Sequence, residues 1–125
     1  RSHDRIALSS ISLTTDTSLL TAWSNDTTFI TVFSRQIEAL GKTGDVLIAI
    51  STSGSSKNVV EAIKIAKNKG IITIGFIGNN KSKLKEICDL CISVPNDDTQ
   101  RIQEGHILIG HIICEIVEDH AVRMK

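Results

Sequence analysis

Three short apolar runs, rich in β-branched residues, alternate with segments of helical period from residue 45 onwards. They are Asp45–Ser51, Ile71–Ile77 and Leu90–Val94. Each run is too short for an ordinary helix, and its apolar residues are continuous, which is typical of strands buried on both faces of a parallel sheet. The segments between the runs are long enough for helical crossovers. We therefore predict an α/β fold, a three-layer α/β/α sandwich with a parallel, doubly wound sheet.

Segments with apolar residues at helical spacing predict four helices, which cover Phe29–Leu40, Asn58–Lys69, Lys81–Ile87 and Thr99 to about Met124. Gly41 and Gly70 follow the first two segments and can end them. Ile11–Thr15 is a weaker candidate for a further strand. Ligands of such sheets bind at the carboxyl ends of the strands, so the loops at those ends are the places to search for a site.

Length and charge limit the classes of function. The chain has 125 residues, the size of one domain, and its 14 basic residues balance 14 acidic ones to a formal net charge of +0. A neutral chain lacks the basic field that nucleic acids or anionic membranes attract. It also has no apolar run of roughly 20 residues, the length of a membrane span. We therefore expect neither nucleic acid nor membrane as a partner.

The three cysteines are too few and odd in number for a disulfide framework, which favours a cytoplasmic location. Cys88 and Cys91 form a C-x2-C pair that could be half of a zinc site or a redox pair. The sequence contains no second such pair to complete a metal site, and Cys91 lies in an apolar run. We favour buried, inert thiols and keep metal or redox chemistry as the alternative.

The loop Ser51–Ser56 is the most informative segment. It carries five hydroxyls and one glycine between a predicted strand and a predicted helix. Backbone N–H groups, hydroxyl donors and the positive end of a helix dipole together suit a phosphate group. The loop matches neither the P-loop nor the dinucleotide-binding glycine pattern. One or two hydroxyls would suffice to cap a helix, so we favour phosphate binding over capping alone.

Two other polar clusters, Thr14–Asp16 and Ser24–Asp26, have simpler interpretations. The first follows a candidate strand, and the second lies between two helical segments. Both are typical of turns and helix N-caps, so the sequence pattern alone assigns them no chemistry.

The last predicted helix carries a third cluster, Arg101, Gln103, Glu104, His106 and His111. Glu104 and His111 are about 20° apart around an ideal helix, whereas Gln103 and His111 are about 80° apart and about 12 Å apart along the axis. His111 is surrounded in sequence by isoleucine and leucine. A histidine in such a setting is more often a core residue than a ligand, and both interpretations stay open at this point.

Several motifs in the same order resemble a known family. The segment Leu47–Ser56, followed by Asn58 and Val59, resembles the sugar-isomerase (SIS) domain signature, on a flavodoxin-like fold. The remaining motifs are similar to those of bacterial phosphoheptose isomerases, and they are Leu13–Thr17, Asn25–Asp26, Phe33–Gln36 and Arg101–Glu104 with His106 and His111. The resemblance extends from about residue 6 to residue 120.

The resemblance implies conversion of sedoheptulose 7-phosphate to D-glycero-D-manno-heptose 7-phosphate through an enediol, in the synthesis of lipopolysaccharide heptose. It also implies a homotetramer with one zinc ion per site. By similarity, Asn25 and Asp26 contact the substrate, Gln103 and His111 bind zinc, Gln103 also contacts the sugar, and His111 transfers a proton. The substrate-phosphate residues by similarity are Ser51, Thr52, Ser53 and Ser56.

The family also has N-terminal parts that this sequence does not contain: a long helix, a strand that ends in an Asn-Gly-Gly-Ser loop, and a helix with a His and a catalytic Glu. We therefore expect residues 1–125 to be an SIS domain that lacks its N-terminal part, and to be inactive alone. The remaining zinc ligands would come from that part. Two alternatives are a non-catalytic SIS module of the kind that regulates replication initiation and, less well supported, a generic flavodoxin-like binding domain.

Overall fold

A three-stranded parallel sheet lies at the centre of the computed structural model, which describes residues 5–79 and 82–123. The strands are β1 (Val46–Ser51), β2 (Ile72–Ile77) and β3 (Leu90–Ser93), in the order β1-β2-β3. Val46 lies opposite Ile72, and Ile74 lies opposite Leu90. The predicted α/β class, the three strands and their parallel pairing are confirmed.

Five α-helices accompany the sheet within the described residues: α1 (Thr17–Asp26), α2 (Val32–Leu40), α3 (Lys57–Asn68), α4 (Lys83–Ile87) and α5 (Thr99–Arg123). A 3₁₀ turn, Phe29–Thr31, precedes α2. The four predicted helices are confirmed, although two of their expected ends, Lys81 and Met124, lie outside the described residues. Within residues 5–79 and 82–123, none of the helices combines the length and the apolar composition that a bilayer span requires.

The strand predicted at Ile11–Thr15 is wrong, because this segment forms a turn and irregular backbone. A strand needs a neighbour to accept and donate its backbone hydrogen bonds, and no described strand lies beside this segment. The buried Gln36 side chain holds it instead, by donating from Nε2 to the Leu13 carbonyl at 2.9 Å. Asp16 then caps α1 by accepting the Leu19 N–H at 3.0 Å, so the N-cap expected in Thr14–Asp16 is present.

The two faces of the sheet differ in burial. One face packs under α3 and α4 in a core that includes Ala49, Ile63, Ile77 and Leu84. The other face exposes between 43% and 58% of its large side chains Val46, Ile48, Ile50, Ile72 and Leu90. The prediction that the strands are buried on both faces is therefore wrong for these residues of β1, β2 and β3. α5 contacts this second face near the carboxyl ends of the strands, where His106 lies against Phe76.

Asp89, the residue before β3, hydrogen-bonds to the second residue of β2. Its Oδ2 accepts both the N–H and the hydroxyl of the fully buried Thr73, each at 2.8 Å. Its Oδ1 accepts from Lys67 Nζ at 3.0 Å. The backbone and hydroxyl hydrogen bonds from Thr73 and the bond from Lys67 stabilise the carboxylate and lower the pKa of Asp89 from 3.8 to about 2.

This arrangement predicts a pH-dependent contribution to stability. Because the pKa of Asp89 is lower in the folded chain, its carboxylate stabilises the fold above about pH 4, and that contribution is lost as pH falls toward about 2. Asp89→Asn should lower the free energy of unfolding at pH 6, and the difference from the wild type should shrink as pH falls from 4 toward 2. Urea unfolding at several pH values measures it, and a difference that does not change with pH would contradict the assignment.

Candidate functional site

The Ser51–Ser56 loop joins the end of β1 to the start of α3 and is held by backbone hydrogen bonds. The Gly54 N–H donates to the Ser51 carbonyl at 3.0 Å, and the Gly54 carbonyl accepts the Leu84 N–H at 2.9 Å. Gly54 has φ +62°, and a Cβ there would lie 2.2 Å from Ser82 Cβ. The positive φ and the lack of space for a side chain both require glycine at this position.

Three of the hydroxyls predicted to bind phosphate converge in this loop. Ser51 Oγ lies 3.0 Å from Ser56 Oγ and 3.4 Å from Ser53 Oγ, and it accepts the Gly54 N–H at 3.1 Å. Ser51 is buried, whereas Ser53 and Ser56 are exposed. The fourth predicted residue, Thr52, uses its carbonyl to accept the Gly78 N–H at 3.0 Å.

The loop leads directly into the positive end of α3. Ser56 stands at the N-cap position, but its side chain makes no capping hydrogen bond to the helix. The first-turn N–H groups of a helix have no intrahelical acceptors, and the helix dipole adds positive potential there. The Ser56 hydroxyl thus remains in the cluster with Ser51, and capping alone does not account for the serines. This combination of donors can bind an anion of phosphate size.

Gln103 and His111 lie on an exposed face of α5. With four neighbours they line one open depression, made of Gln100, Gln103, Glu104, Ile107, Leu108 and His111. The interpretation of His111 as a core residue is wrong, because its side chain is exposed. The opposite side of α5, which carries Ile102 and His106, is the side that packs on the sheet. The contacts described in this structure do not join Gln103 or His111 to the Ser51–Ser56 loop.

Asn25 and Asp26 form the last turn of α1 instead of a turn between helices with an N-cap. Both are exposed, and Asn25 Nδ2 donates to Asp26 Oδ1 at 2.8 Å. The cap of the next element is Thr28, whose hydroxyl accepts the Ile30 N–H at 3.2 Å. No hydrogen bond described in this structure links Asn25 or Asp26 to the Ser51–Ser56 loop, so their substrate contacts stay a prediction.

The donors for zinc are incomplete in the described part of this chain. A zinc site in a protein usually takes three or four side-chain ligands. Residues 5–79 and 82–123 contain no group of three His, Cys, Asp or Glu side chains that could hold a metal ion. Gln103 and His111 offer two donors from α5. The residues present therefore do not form a zinc site by themselves.

The Cys88–Cys91 pair has the properties of structural thiols. Both cysteines are free and half-buried, and Cys91 Sγ lies 3.5 Å from the Leu84 carbonyl. Burial, the neighbouring Cys91 and the charge of Asp89 raise the pKa of the Cys88 thiol from 9.0 to about 12. A thiol with so little thiolate at neutral pH is a poor nucleophile and a poor metal ligand. The geometry favours inert thiols over metal or redox chemistry.

His106 belongs to the polar cluster of the last helix, and its sequence pattern alone predicts no separate role for it. It is 4% exposed, and its Nε2 lies 3.0 Å from the Ile77 carbonyl at the end of β2. Its spacing of four from Ile102, another buried residue of α5, is the sequence signal that could have placed it against the sheet.

Curated relatives resemble this chain along nearly its whole length. The phosphoheptose isomerase of Aneurinibacillus thermoaerophilus is 52% identical over 122 residues, which cover 98% of this chain and 62% of the relative. That of Clostridium acetobutylicum is 55% identical over 115 residues, covering 92% and 59%. The chain thus spans about three fifths of the length of these relatives.

Solved structures and a family model agree on the fold. A phosphoheptose isomerase structure from Neisseria gonorrhoeae matches with a TM-score of 0.85 and 46% identity, covering 87% of this chain and 61% of that one. One from Francisella tularensis matches with a TM-score of 0.84 and 35% identity, covering 87% and 59%. The model of the SIS domain matches residues 2–78, more than half of the sequence. The chain therefore belongs to the SIS domain family.

Proposed function

We propose that this protein is a phosphoheptose isomerase that converts sedoheptulose 7-phosphate to D-glycero-D-manno-heptose 7-phosphate for lipopolysaccharide heptose. The observation that carries the proposal is the convergence of the Ser51, Ser53 and Ser56 hydroxyls before α3. This cluster suits a sugar phosphate, and it lies in a chain more than half identical to proteins named phosphoheptose isomerase. Together these findings favour a phosphorylated sugar over other small ligands.

The proposed role of the loop is to hold the phosphate end of the sugar. The phosphate oxygens accept hydrogen bonds from the first N–H groups of α3 and from three hydroxyls, those of Ser51, Ser53 and Ser56. The Thr52 carbonyl holds the loop in place by accepting the Gly78 N–H. The reacting carbons lie at the other end of the substrate. Binding energy from the phosphate thus orients a part of the molecule that the loop does not touch.

The proposed chemistry is a proton transfer between adjacent carbons. A base removes a proton from the carbon next to the carbonyl, the carbonyl oxygen gains a proton, and an enediol forms. Return of a proton to the former carbonyl carbon, with loss of one from the other oxygen, completes the exchange of ketose and aldose. We assign the base to His111, since imidazole accepts and returns protons near neutral pH. Asn25, Asp26 and Gln103 would orient the sugar hydroxyls.

Gln103 and His111 would also supply two ligands to a zinc ion, and the others would come from outside the described residues. A zinc ion held there would act as a Lewis acid and would stabilise negative charge that develops on the sugar oxygens. The donor type of His111 supports this assignment, because imidazole nitrogen is a common zinc ligand.

We further propose a homotetramer with active sites at subunit contacts, in the cytoplasm. Among the described residues, only α5 lines the depression that holds Gln103 and His111, which leaves the open side of this depression available to a second subunit. The same helix exposes 47–65% of five large apolar side chains, Ile107, Leu108, Ile112, Ile116 and Val117. Exposed apolar surface of this extent is typical of subunit interfaces. The unpaired cysteines agree with a reducing compartment.

The catalytic assignment predicts that His111→Ala in the intact protein lowers turnover of sedoheptulose 7-phosphate by about 10²–10⁴-fold, the usual contribution of one general base. His120→Ala is the matched control, because His120 is another exposed histidine of α5 outside the motif. Product formation is followed by NMR, and thermal unfolding confirms that both variants fold. Near-normal turnover of His111→Ala would contradict the role. A folded wild type that binds the sugar phosphate without converting it would favour the non-catalytic SIS module.

The phosphate assignment predicts that Ser53→Ala raises KM about tenfold or more, the equivalent of one hydrogen bond to a charged group. Ser55→Ala is the matched control. It removes a hydroxyl from the same loop, but Ser55 Oγ is outside the cluster around Ser51 Oγ. Steady-state kinetics measure both variants, and equal KM values for the two would count against the cluster.

A further inference from the structure

The buried histidine of α5, His106, contacts a single peptide group at the end of β2. Its Nε2 lies 3.0 Å from the Ile77 carbonyl, and its ring centroid lies 5.7 Å from that of Phe76. The carbonyl can only accept a hydrogen bond, so Nε2 is the nitrogen that carries the proton. The same carbonyl accepts the Val94 N–H at 2.9 Å. It thus accepts two hydrogen bonds, which link the end of β2 to α5 and to the residue after β3.

The N–H side of that peptide group belongs to Gly78, and it donates to the Thr52 carbonyl at 3.0 Å. One rigid peptide plane, Ile77–Gly78, thus accepts from His106 on one edge and donates to the Ser51–Ser56 loop on the other. Hydrogen bonds linked through a peptide group polarise and strengthen one another. The orientation of this plane therefore couples the position of α5 to that of the loop.

Packing alone does not account for a histidine at this position. Its Nδ1 is buried and has no hydrogen-bond partner among the described residues. A buried polar atom without a partner is unfavourable, and an apolar side chain of similar size would avoid it. What the histidine supplies and an apolar residue cannot is the donor at Nε2.

We propose that His106 is a positioning residue for phosphate binding: through the Ile77–Gly78 peptide it holds Thr52, and with it the serine cluster, in the geometry that accepts the sugar phosphate. This inference rests on the proposed function for the identity of the ligand. His106 acts on the loop from the packed side of α5, while Gln103 and His111 lie on its exposed face. Its loss therefore weakens phosphate binding more than it slows proton transfer.

The test replaces His106 in the intact protein with side chains that keep or lose the donor. His106→Gln can place an amide nitrogen near the Nε2 position, whereas His106→Met cannot donate and His106→Asn carries its nitrogen near the Nδ1 position. Ile102→Val is the packing control, because Ile102 is a buried apolar residue of α5 whose Cδ1 would lie 2.7 Å from a Cβ at Gly78. Each variant is assayed for KM and kcat with sedoheptulose 7-phosphate. Each is also titrated with inorganic phosphate while the amide signals of Gly54 and Gly78 are followed by NMR.

We expect His106→Met and His106→Asn to raise KM and weaken phosphate binding by about five- to tenfold, with kcat within about threefold, the pattern of a lost binding contribution. His106→Gln should recover most of the affinity, and Ile102→Val should change neither value more than about twofold. The inference fails if folded His106→Met or His106→Asn binds phosphate like the wild type, or if Ile102→Val is equally impaired.

The two proposals fail separately. A wild type that binds inorganic phosphate in a His106-dependent way but does not isomerise the sugar supports the positioning role and overturns the proposed function. The opposite outcome is that the wild type isomerises the sugar and that His106→Met and His106→Asn have the KM and phosphate affinity of the wild type. That outcome supports the proposed function and overturns the positioning role.

Discussion

The close approach of β2 to the Ser51–Ser56 loop at Gly78 is the contact on which the arrangement of the candidate site depends. The Gly78 N–H bonds to the Thr52 carbonyl, and a Cβ at Gly78 would lie 2.5 Å from that oxygen and 2.7 Å from Ile102 Cδ1. Sheet, loop and α5 thus meet with no room for a side chain. The backbone at this junction fixes where the loop begins and where α5 crosses the sheet.

Much of the fold is encoded locally and was therefore predictable. Continuous apolar runs predicted β2 and β3, and the ends of both strands lie within one residue of the predicted ends. Apolar residues at helical spacing before Gly70 predicted α3. Both kinds of pattern depend only on residues that are close together in sequence. Ile11–Thr15 failed because strand formation depends on a pairing partner far away in sequence. The exposure of Ile48 and Ile50 was not predictable either, since a run shows that a strand can be buried but not which layers cover it.

The candidate site divides in the same way. The serine loop was found because its donors are consecutive in sequence and end at a helix start. His106 and His111 lie five residues apart in similar apolar surroundings, yet one is buried and the other exposed. Helix geometry places them about 140° apart around the axis, and this angle follows from their spacing in sequence. Which of the two faces the sheet depends on how α5 packs against it. Helical spacing alone could not decide that.

The contacts of α5 have a mechanical consequence. The buried residues of this 25-residue helix are Ile102 and His106 near its start and Ala121 near its end, where Arg5 also bonds to Glu118 at 3.2 Å. The helix is thus held near its two ends, and the segment between them is largely exposed. Gly110 lies within that segment, where a Cβ would meet no atom within 4 Å, and an interior glycine weakens a helix by about 1 kcal/mol relative to alanine. That cost falls next to His111, so the helical turn that carries the proposed base has the lowest intrinsic helix propensity in this segment.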